Sequence, residues 1–342
     1  MGRKGENMKK KIWKKIAVMT LAGAITVGGI ETFSCAEEEL EEIDLVLDWY
    51  PNAVHECFYV AMEKGYYEEE GLKLTIQFPA NTNDGLSMPA AGMADVGLYY
   101  MQDVIMAKAE EGVPVKSIGA LVQAPLAVVV SLTESDINSP ADLAGKTLGH
   151  GGSALGEAKI KAMLDYEKVD SSEVSTIDVG FDLMSSMTTG QVDATIGCLV
   201  NHEIPEMREE GFDVSYFSPT DFGVPNYYEL VFVVGEKNFN ENPEKYEKFL
   251  RATKRGFEDM KADPDEALQI LLDHQSAENF PLTDSVERQS MDYLLGVYET
   301  EEYPFPGQDP AVWQENIDWL LEKGLISESI DVDDVLADMI VE

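Results

Sequence analysis

The feature that most constrains the fold of this sequence is an internal repeat. The segment GMADV at 92–96 is matched by GQVDA at 190–194. Each segment follows a predicted helix that contains methionine, and each continues as a predicted strand, a polar or aromatic turn and a helix ending in Glu-Glu-Gly. Chance readily produces Gly-x-x-Asp twice, but it rarely produces the whole succession. The repeat therefore predicts two lobes built on a similar plan.

The order of the predicted elements indicates an α/β fold. Hydrophobic spacing predicts strands at 44–47, 72–78 and 94–98 that alternate with helices at 54–64 and 82–92. Alternation of this kind is typical of helices layered on a sheet.

Two long apolar runs, at 121–131 and 227–234, predict where the chain passes between the lobes. Lobe 2 is then 125–226, and lobe 1 is discontinuous, comprising 43–124 and 229–342. Two crossing strands would form a hinge, with a ligand cleft between the lobes.

Residues 1–35 are predicted to be an export signal that is removed. Lysines precede an apolar run at 16–30 that is short for a membrane span. Residues 36–43 are then an acidic tether. Two interpretations of Cys35 stay open, since it could accept a lipid anchor or lie within an ordinary cleavage site. Either one predicts an extracytoplasmic protein.

Composition narrows the function classes. The chain has 64 acidic and 25 basic residues, a formal net charge of −39, which argues against binding nucleic acid or an anionic membrane through its own charge. Cys57 and Cys198 fall in different predicted lobes, so we expect free, partly buried thiols. The sequence has no His-x-x-x-His pair, no cysteine pair at metal-binding spacing and no Gly-x-Ser-x-Gly nucleophile motif. The sequence predicts no cofactor, no metal and a monomer.

Polar and aromatic side chains follow several predicted strands. In open α/β sheets, ligands bind beyond the carboxyl ends of the strands. Simpler roles compete: Asp48 as a helix cap, Trp49 as a core aromatic and Glu203 as a helix-start carboxylate. A purely structural role explains Glu229 less well, because burying an unpaired carboxylate in an apolar run costs roughly several kcal/mol of folding free energy. The candidates on this argument are Asp48, Trp49, Tyr50, Asn52, Tyr99, Tyr100, Asn201, His202, Glu203, Tyr227, Tyr228 and Glu229.

Three further expectations concern single features. His55 is interpreted as a surface residue of the first helical turn. Tyr227 and Tyr228 are expected to alternate in a strand, so that one faces the cleft and the other the core. The turn at 149–153 (GHGGS) could hold an anion at a helix start or could be a plain helix cap.

Three segments carry a resemblance to a known family: LDWYPNAVHECFYVAMEKGYYEEEGL at 47–72, IGCLVNHE at 196–203 and FGVPNYYELVFVV at 222–234. The chain resembles solute-binding proteins of bacterial ABC importers, in the branch that binds pyrimidine precursors of thiamine. That branch is related to the fungal pyrimidine synthase and to sulfonate, nitrate and riboflavin binders. The resemblance implies a type II periplasmic-binding fold, in which two α/β lobes are joined by two crossover strands.

The resemblance also implies how a ligand is held. Aromatic side chains would stack on a pyrimidine ring, and carboxylates would accept hydrogen bonds from its amino group. It carries this role onto Asp48, Trp49, Asn52, Glu203, Tyr227 and Glu229, with Tyr99, Gln123 and Asn201 as weaker candidates.

The predicted function is capture of a pyrimidine-type thiamine precursor for a membrane permease, without enzymatic activity. Riboflavin or a sulfonate- or nitrate-type anion is the alternative ligand on the same fold. A pyrimidine-synthesising enzyme is a second alternative, although the cysteine-rich stretch of the fungal enzyme is absent. A sensory or adhesive ectodomain is the third.

Overall fold

The computed structural model describes residues 40–180, 182–275, 281–337 and 339. The predicted export signal at 1–35, with Cys35, and residues 36–39 of the predicted tether lie outside them. The first strand already begins at Glu41, inside the segment predicted as a tether. None of the described helices has the length and apolar content of a membrane-crossing segment.

Two five-stranded sheets organise the described chain. The first has the strand order β2-β1-β3-β10-β4, in which β10 runs antiparallel to both neighbours and β1 pairs parallel with β2 and β3. Its strands are β1 Glu41–Val46, β2 Leu72–Gln77, β3 Val96–Tyr99, β4 Val115–Val122 and β10 Leu230–Gly235.

The second sheet repeats this plan. Its order is β7-β6-β8-β5-β9, with β5 antiparallel to both neighbours and β6 parallel to β7 and β8. Its strands are β5 Ala127–Leu132, β6 Thr147–His150, β7 Ser175–Asp178, β8 Ala194–Leu199 and β9 Val214–Phe217. We call the first sheet with its helices lobe 1 and the second lobe 2; the residue boundaries given above remain a prediction.

The aspartates of the sequence repeat do the same job in each sheet. Asp95 precedes β3, and its Oδ2 accepts the backbone N–H of Asp44 on β1 at 3.0 Å. Asp193 precedes β8, and its Oδ2 accepts the N–H of Thr147 on β6 at 2.8 Å. Each carboxylate therefore ties the central strand of its sheet to the adjacent parallel strand.

Two connections join the sheets. The first runs from the end of β4 to the start of β5 through 123–126, so the apolar run at 121–131 is two strand ends rather than one strand. The second runs from β9 to β10 through 218–229. The expectation of an alternating strand at Tyr227 and Tyr228 is wrong, because both precede β10, and both side chains are buried.

Helices cover the sheets, and those predicted at 54–64 and 82–92 are found at Glu56–Glu63 and Asp84–Ala91. The 20-residue amphipathic helix at Pro243–Ala262 packs on the helix at Glu56–Glu63. The helices are α1 Glu56–Glu63, α2 Tyr66–Glu69, α3 Asp84–Ala91, α4 Met101–Glu111, α5 Ala154–Glu167, α6 Leu183–Thr188, α7 Glu203–Glu209, α8 Glu236–Glu241, α9 Pro243–Ala262, α10 Pro264–His274, α11 Asp284–Leu294, α12 Pro310–Glu322 and α13 Val332–Val335.

The core lies on both faces of the first sheet. Along β10, Phe232 and Val234 join one hydrophobic cluster, while Val231 and Val233 join the other. Successive strand side chains point to opposite faces, so an all-apolar strand indicates burial on both sides. Cys57 and Cys198 are free thiols and both are buried, more fully than the sequence indicated.

Candidate functional site

A cavity of about 470 Å³ lies between the lobes, at the carboxyl ends of β1 and β6. Its volume is within the range of ordinary small-molecule sites. Lobe 1 supplies Asp48, Trp49 and Asn52, and lobe 2 supplies residues from 150–159 and 196–203. The second connection between the lobes supplies Glu229.

The turn after β1 presents polar groups to this cavity. Asp48 Oδ1 lies 2.9 Å from His55 Nε2, and His55 Nδ1 accepts the backbone N–H of Asn52 at 3.2 Å. His55 is fully buried, so its interpretation as a surface residue is wrong. The helix cap is Asn52, whose side chain accepts the N–H of Val54, and not Asp48. The Asp48 carboxylate is thus held in place by a buried imidazole.

Trp49 is an exposed aromatic on the same turn. Its side chain is 46% exposed and lines the cavity, and its ring meets that of Tyr50 edge-on at 5.7 Å between centroids. This exposure contradicts the alternative of a core aromatic. An indole face at the wall of a cavity suits stacking on a flat ring.

Glu229 lies where the chain returns to lobe 1. Its Oε2 accepts the backbone N–H groups of Leu126, at the end of the first connection, at 2.6 Å and of Ala127, the first residue of β5, at 3.3 Å. Both bonds go to the same carboxylate oxygen, and the residue also lines the cavity. Burial raises the pKa of Glu229, while Lys159 and the two N–H groups oppose that rise. The carboxylate therefore joins the two connections and also lines the site.

Lobe 2 contributes two charged side chains, Glu203 and His202, to the cavity wall. Glu203 Oε2 accepts the N–H of Leu199 at 2.8 Å, and its Oε1 lies 3.9 Å from His202 Nδ1. Burial alone would lower the pKa of His202, but Glu203, Glu287 and Glu206 outweigh burial and raise it to about 9. His202 is therefore a cation at neutral pH.

Lys159 on α5 is a cavity residue that the sequence argument did not find. Its ammonium lies 4.1 Å from the centre of the Tyr227 ring. Burial lowers the pKa of Lys159, and Glu229 and Asp103 counteract this. The cleft is thus less purely acidic and aromatic than predicted.

Four of the predicted ligand-binding residues do not line the cavity. Gln123 donates from Nε2 to the carbonyls of Tyr303 and Gly307, and Asn201 donates from Nδ2 to Ser290 at 2.9 Å. Tyr99 is replaced at the cavity wall by its neighbour Tyr100, since adjacent side chains leave a strand end on opposite sides. Tyr227 is buried beneath Lys159.

Of the two roles considered for the glycine-rich turn, the helix cap is confirmed, and anion binding stays a prediction. Ser153 caps α5 by accepting the N–H of Gly156 at 3.0 Å, and Gly151 and Ser153 also line the cavity. Within the described residues, no group of three or more His, Cys, Asp or Glu side chains is placed to hold a metal ion.

Comparisons with known proteins place this geometry in a family. A family model described as NMT1/THI5 like matches residues 52–267, which span the turn after β1, the second lobe and the start of α10. The chain belongs to the NMT1/THI5-like family. A formylaminopyrimidine-binding protein from Halalkalibacterium halodurans is 41% identical over 322 residues, covering 92% of this chain and 97% of that protein.

Other relatives and structural neighbours carry names of different activities. A 4-amino-5-hydroxymethyl-2-methylpyrimidine phosphate synthase from Aspergillus parasiticus is 27% identical over 265 residues, covering 74% of this chain and 77% of that protein. The periplasmic aliphatic sulphonate binding protein SsuA from Escherichia coli matches in structure with a TM-score of 0.67 at 15% identity, covering 88% of this chain and 94% of that one. This last likeness confirms the predicted periplasmic-binding fold.

Proposed function

We propose that this protein is the extracytoplasmic solute-binding component of an ABC importer and that it captures an aminopyrimidine of the formylaminopyrimidine type. The observation that carries the proposal is the 41% identity to a formylaminopyrimidine-binding protein over almost the full length of both chains. A membrane permease is the implied partner, since a two-lobed binding fold presents its ligand to a transporter.

The chemistry of the cavity supports this ligand class. An aminopyrimidine offers an amino group that donates hydrogen bonds, and carboxylates accept them. Asp48 and Glu229 each have one oxygen occupied by a protein donor and a second that is not used in that contact. Trp49 offers a face for the ring. Asn52 and Glu203 complete the set of predicted residues that reach the cavity.

Pyrimidine synthesis is the competing function, because relatives of lower identity carry synthase names. A binding protein should release its ligand unchanged and should bind many times over. A synthase should convert bound material or lose activity after one turnover. Dialysis of the loaded protein followed by mass spectrometry of the released compound separates the two.

A thermal-shift panel tests the proposed ligand. A formylaminopyrimidine should raise the melting temperature, because ligand at about 100 times Kd stabilises the folded state by about 2.7 kcal/mol. Taurine, nitrate and riboflavin should not. Stabilisation by the sulfonate or by riboflavin alone would contradict the proposed ligand while keeping the fold.

A further inference from the structure

Lys159 is a positively charged side chain on the lobe 2 wall of the cavity. It lies on α5, which starts at Ala154 and is capped by Ser153. Its neighbour Lys161, two positions further along, points away and pairs with Asp165 at the surface. The same helix therefore carries one lysine that faces the cavity and one that faces solvent.

The packing around Lys159 fixes where its ammonium lies. The Nζ atom is 4.1 Å from the centre of the Tyr227 ring, which is the geometry of a cation–π contact. Tyr227 itself is buried, and its hydroxyl has no hydrogen-bond partner among the described residues. The ring therefore positions the ammonium without occupying its hydrogen-bond donors.

The charge of Lys159 is not neutralised by a close partner. Among the described residues, Glu229 and Asp103 act on it at a distance, and neither forms an ion pair with it. An ammonium has three donors and no acceptor, and leaving it unpaired in a partly buried site is unfavourable. An acceptor atom on a bound ligand would satisfy it.

The rest of the cavity decides what kind of acceptor fits. Asp48, Glu203 and Glu229 carry carboxylates, whereas Lys159 and His202 carry the cations. This balance leaves no surplus of positive charge for a doubly charged phosphate. A neutral carbonyl oxygen accepts from an ammonium without adding charge to the site.

We propose that Lys159 is a specificity-determining residue. Its ammonium donates a hydrogen bond to the carbonyl oxygen of a formylamino group and so selects the formylated aminopyrimidine over its deformylated amine. The ring amino group then lies toward Asp48 and Glu229, and the formyl group lies toward α5. The deformylated compound lacks this carbonyl acceptor, and the N–H donors of its amine would face the donors of the ammonium. This inference rests on the proposed function and adds the orientation and the selectivity of the ligand.

Calorimetric titration of the two compounds into matched variants tests the inference. The unmodified protein should prefer the formylated compound by about tenfold or more. Lys159→Met should lose about tenfold in affinity for the formylated compound and should bind the amine equally or better, so that the preference disappears. Lys159→Gln keeps N–H donors and should retain part of the preference. Lys161→Met should behave as the unmodified protein does.

Other outcomes overturn the inference. Equal losses for both compounds in Lys159→Met, with an unchanged melting temperature, would show a role in the shape of the cavity and not in selection. Unchanged affinities would show that Lys159 does not meet the ligand. Absence of binding to either compound by the unmodified protein would instead overturn the proposed function, and the inference with it.

Discussion

His55 shows how a buried side chain can prepare a site that it does not enter. Its Nδ1 accepts the N–H of Asn52, so the proton must be on Nε2, where it is donated to Asp48. One neutral imidazole thus holds both ends of the turn that carries Trp49. The groups on this turn that we propose to contact the ligand are therefore held by the protein's own hydrogen bonds.

Replacing His55 should show whether its hydrogen bonds to Asp48 and Asn52, and not only its packing, are needed for ligand binding. We expect His55→Phe to weaken aminopyrimidine binding by about tenfold, because Asp48 loses its donor and the turn loses its clamp. The free energy of unfolding should also fall, by about 1–3 kcal/mol. Calorimetry and urea denaturation measure the two effects. His274→Gln, at a partly exposed histidine, is the control, and unchanged affinity in His55→Phe would refute the clamp.

Glu56, next to this turn, is a fully buried carboxyl group whose two oxygens have no hydrogen-bond partner among the described residues. Burial first, and Glu287 second, raise its pKa from 4.5 to about 8, while Arg288 acts against them. The folded protein therefore holds a proton here that the unfolded chain releases above about pH 4.5. Stability linked to Glu56 is fully present below pH 4.5 and is lost as the pH rises through 8.

This linkage predicts the pH dependence of one variant. Glu56→Gln should be more stable than the unmodified protein at pH 9, by on the order of a few kcal/mol, and the difference should shrink by pH 5. Urea denaturation at pH 5, 7 and 9 measures it. A difference that does not change with pH would mean that Glu56 titrates normally.

At the scale of elements, α11 is the helix that touches both lobes beside the cavity. Glu287 accepts the N–H of Ala53 at 2.8 Å in lobe 1 and lies 3.8 Å from His202 Nε2 in lobe 2. Ser290, one turn later, accepts from Asn201. The helix therefore supports both the turn after β1 and the start of α7.

The charge on Glu287 should have a measurable effect on the pKa of His202. In Glu287→Gln, the pKa of His202 should fall from about 9 toward its ordinary 6.5, but not reach it, because Glu203 and Glu206 remain. Proton NMR of the histidine ring reports this pKa. Asp284→Asn, a substitution at an exposed position on α11, should not change the pKa of His202. A pKa that stays near 9 in Glu287→Gln would show that the two lobes are not coupled through this pair.

Sequence patterns predicted the elements better than they predicted side-chain directions. Strand and helix order follows from hydrophobic spacing, and residues after the first strand are placed at the cleft by that order alone. Lys159 and Lys161 look alike in sequence, and only the orientation of α5 separates them. Tyr99 and Tyr100 differ in the same way, because one residue of register at the end of β3 decides which ring reaches the cavity.

At the scale of the molecule, the fold could be predicted because two sequence patterns agreed. The alternation of strands and helices indicated an α/β fold, and the repeat of Gly-x-x-Asp indicated two similar lobes. The two sheets do have equivalent strand orders. The cavity depends on contacts between parts of the chain that are distant in sequence, such as Glu229 with Leu126. Local patterns carry no record of those contacts, which is why His55 was placed at the surface and Lys159 was missed.

The two-lobed plan places the acceptors for a ligand on different parts of the chain. Asp48 belongs to lobe 1, Glu203 to lobe 2 and Glu229 to the connection between them. A ligand that meets all three would hold the lobes together, in the manner of hinge closure. Binding and lobe closure should therefore depend on the same carboxylates.

The most direct test is a calorimetric titration of a formylaminopyrimidine into the unmodified protein and into Glu229→Gln at neutral pH. We predict a single saturable site in the unmodified protein and an affinity about tenfold or more lower in the variant, about 1.4 kcal/mol, with both proteins folded. Saturable binding that is the same in both, or no binding to the unmodified protein, would contradict the account.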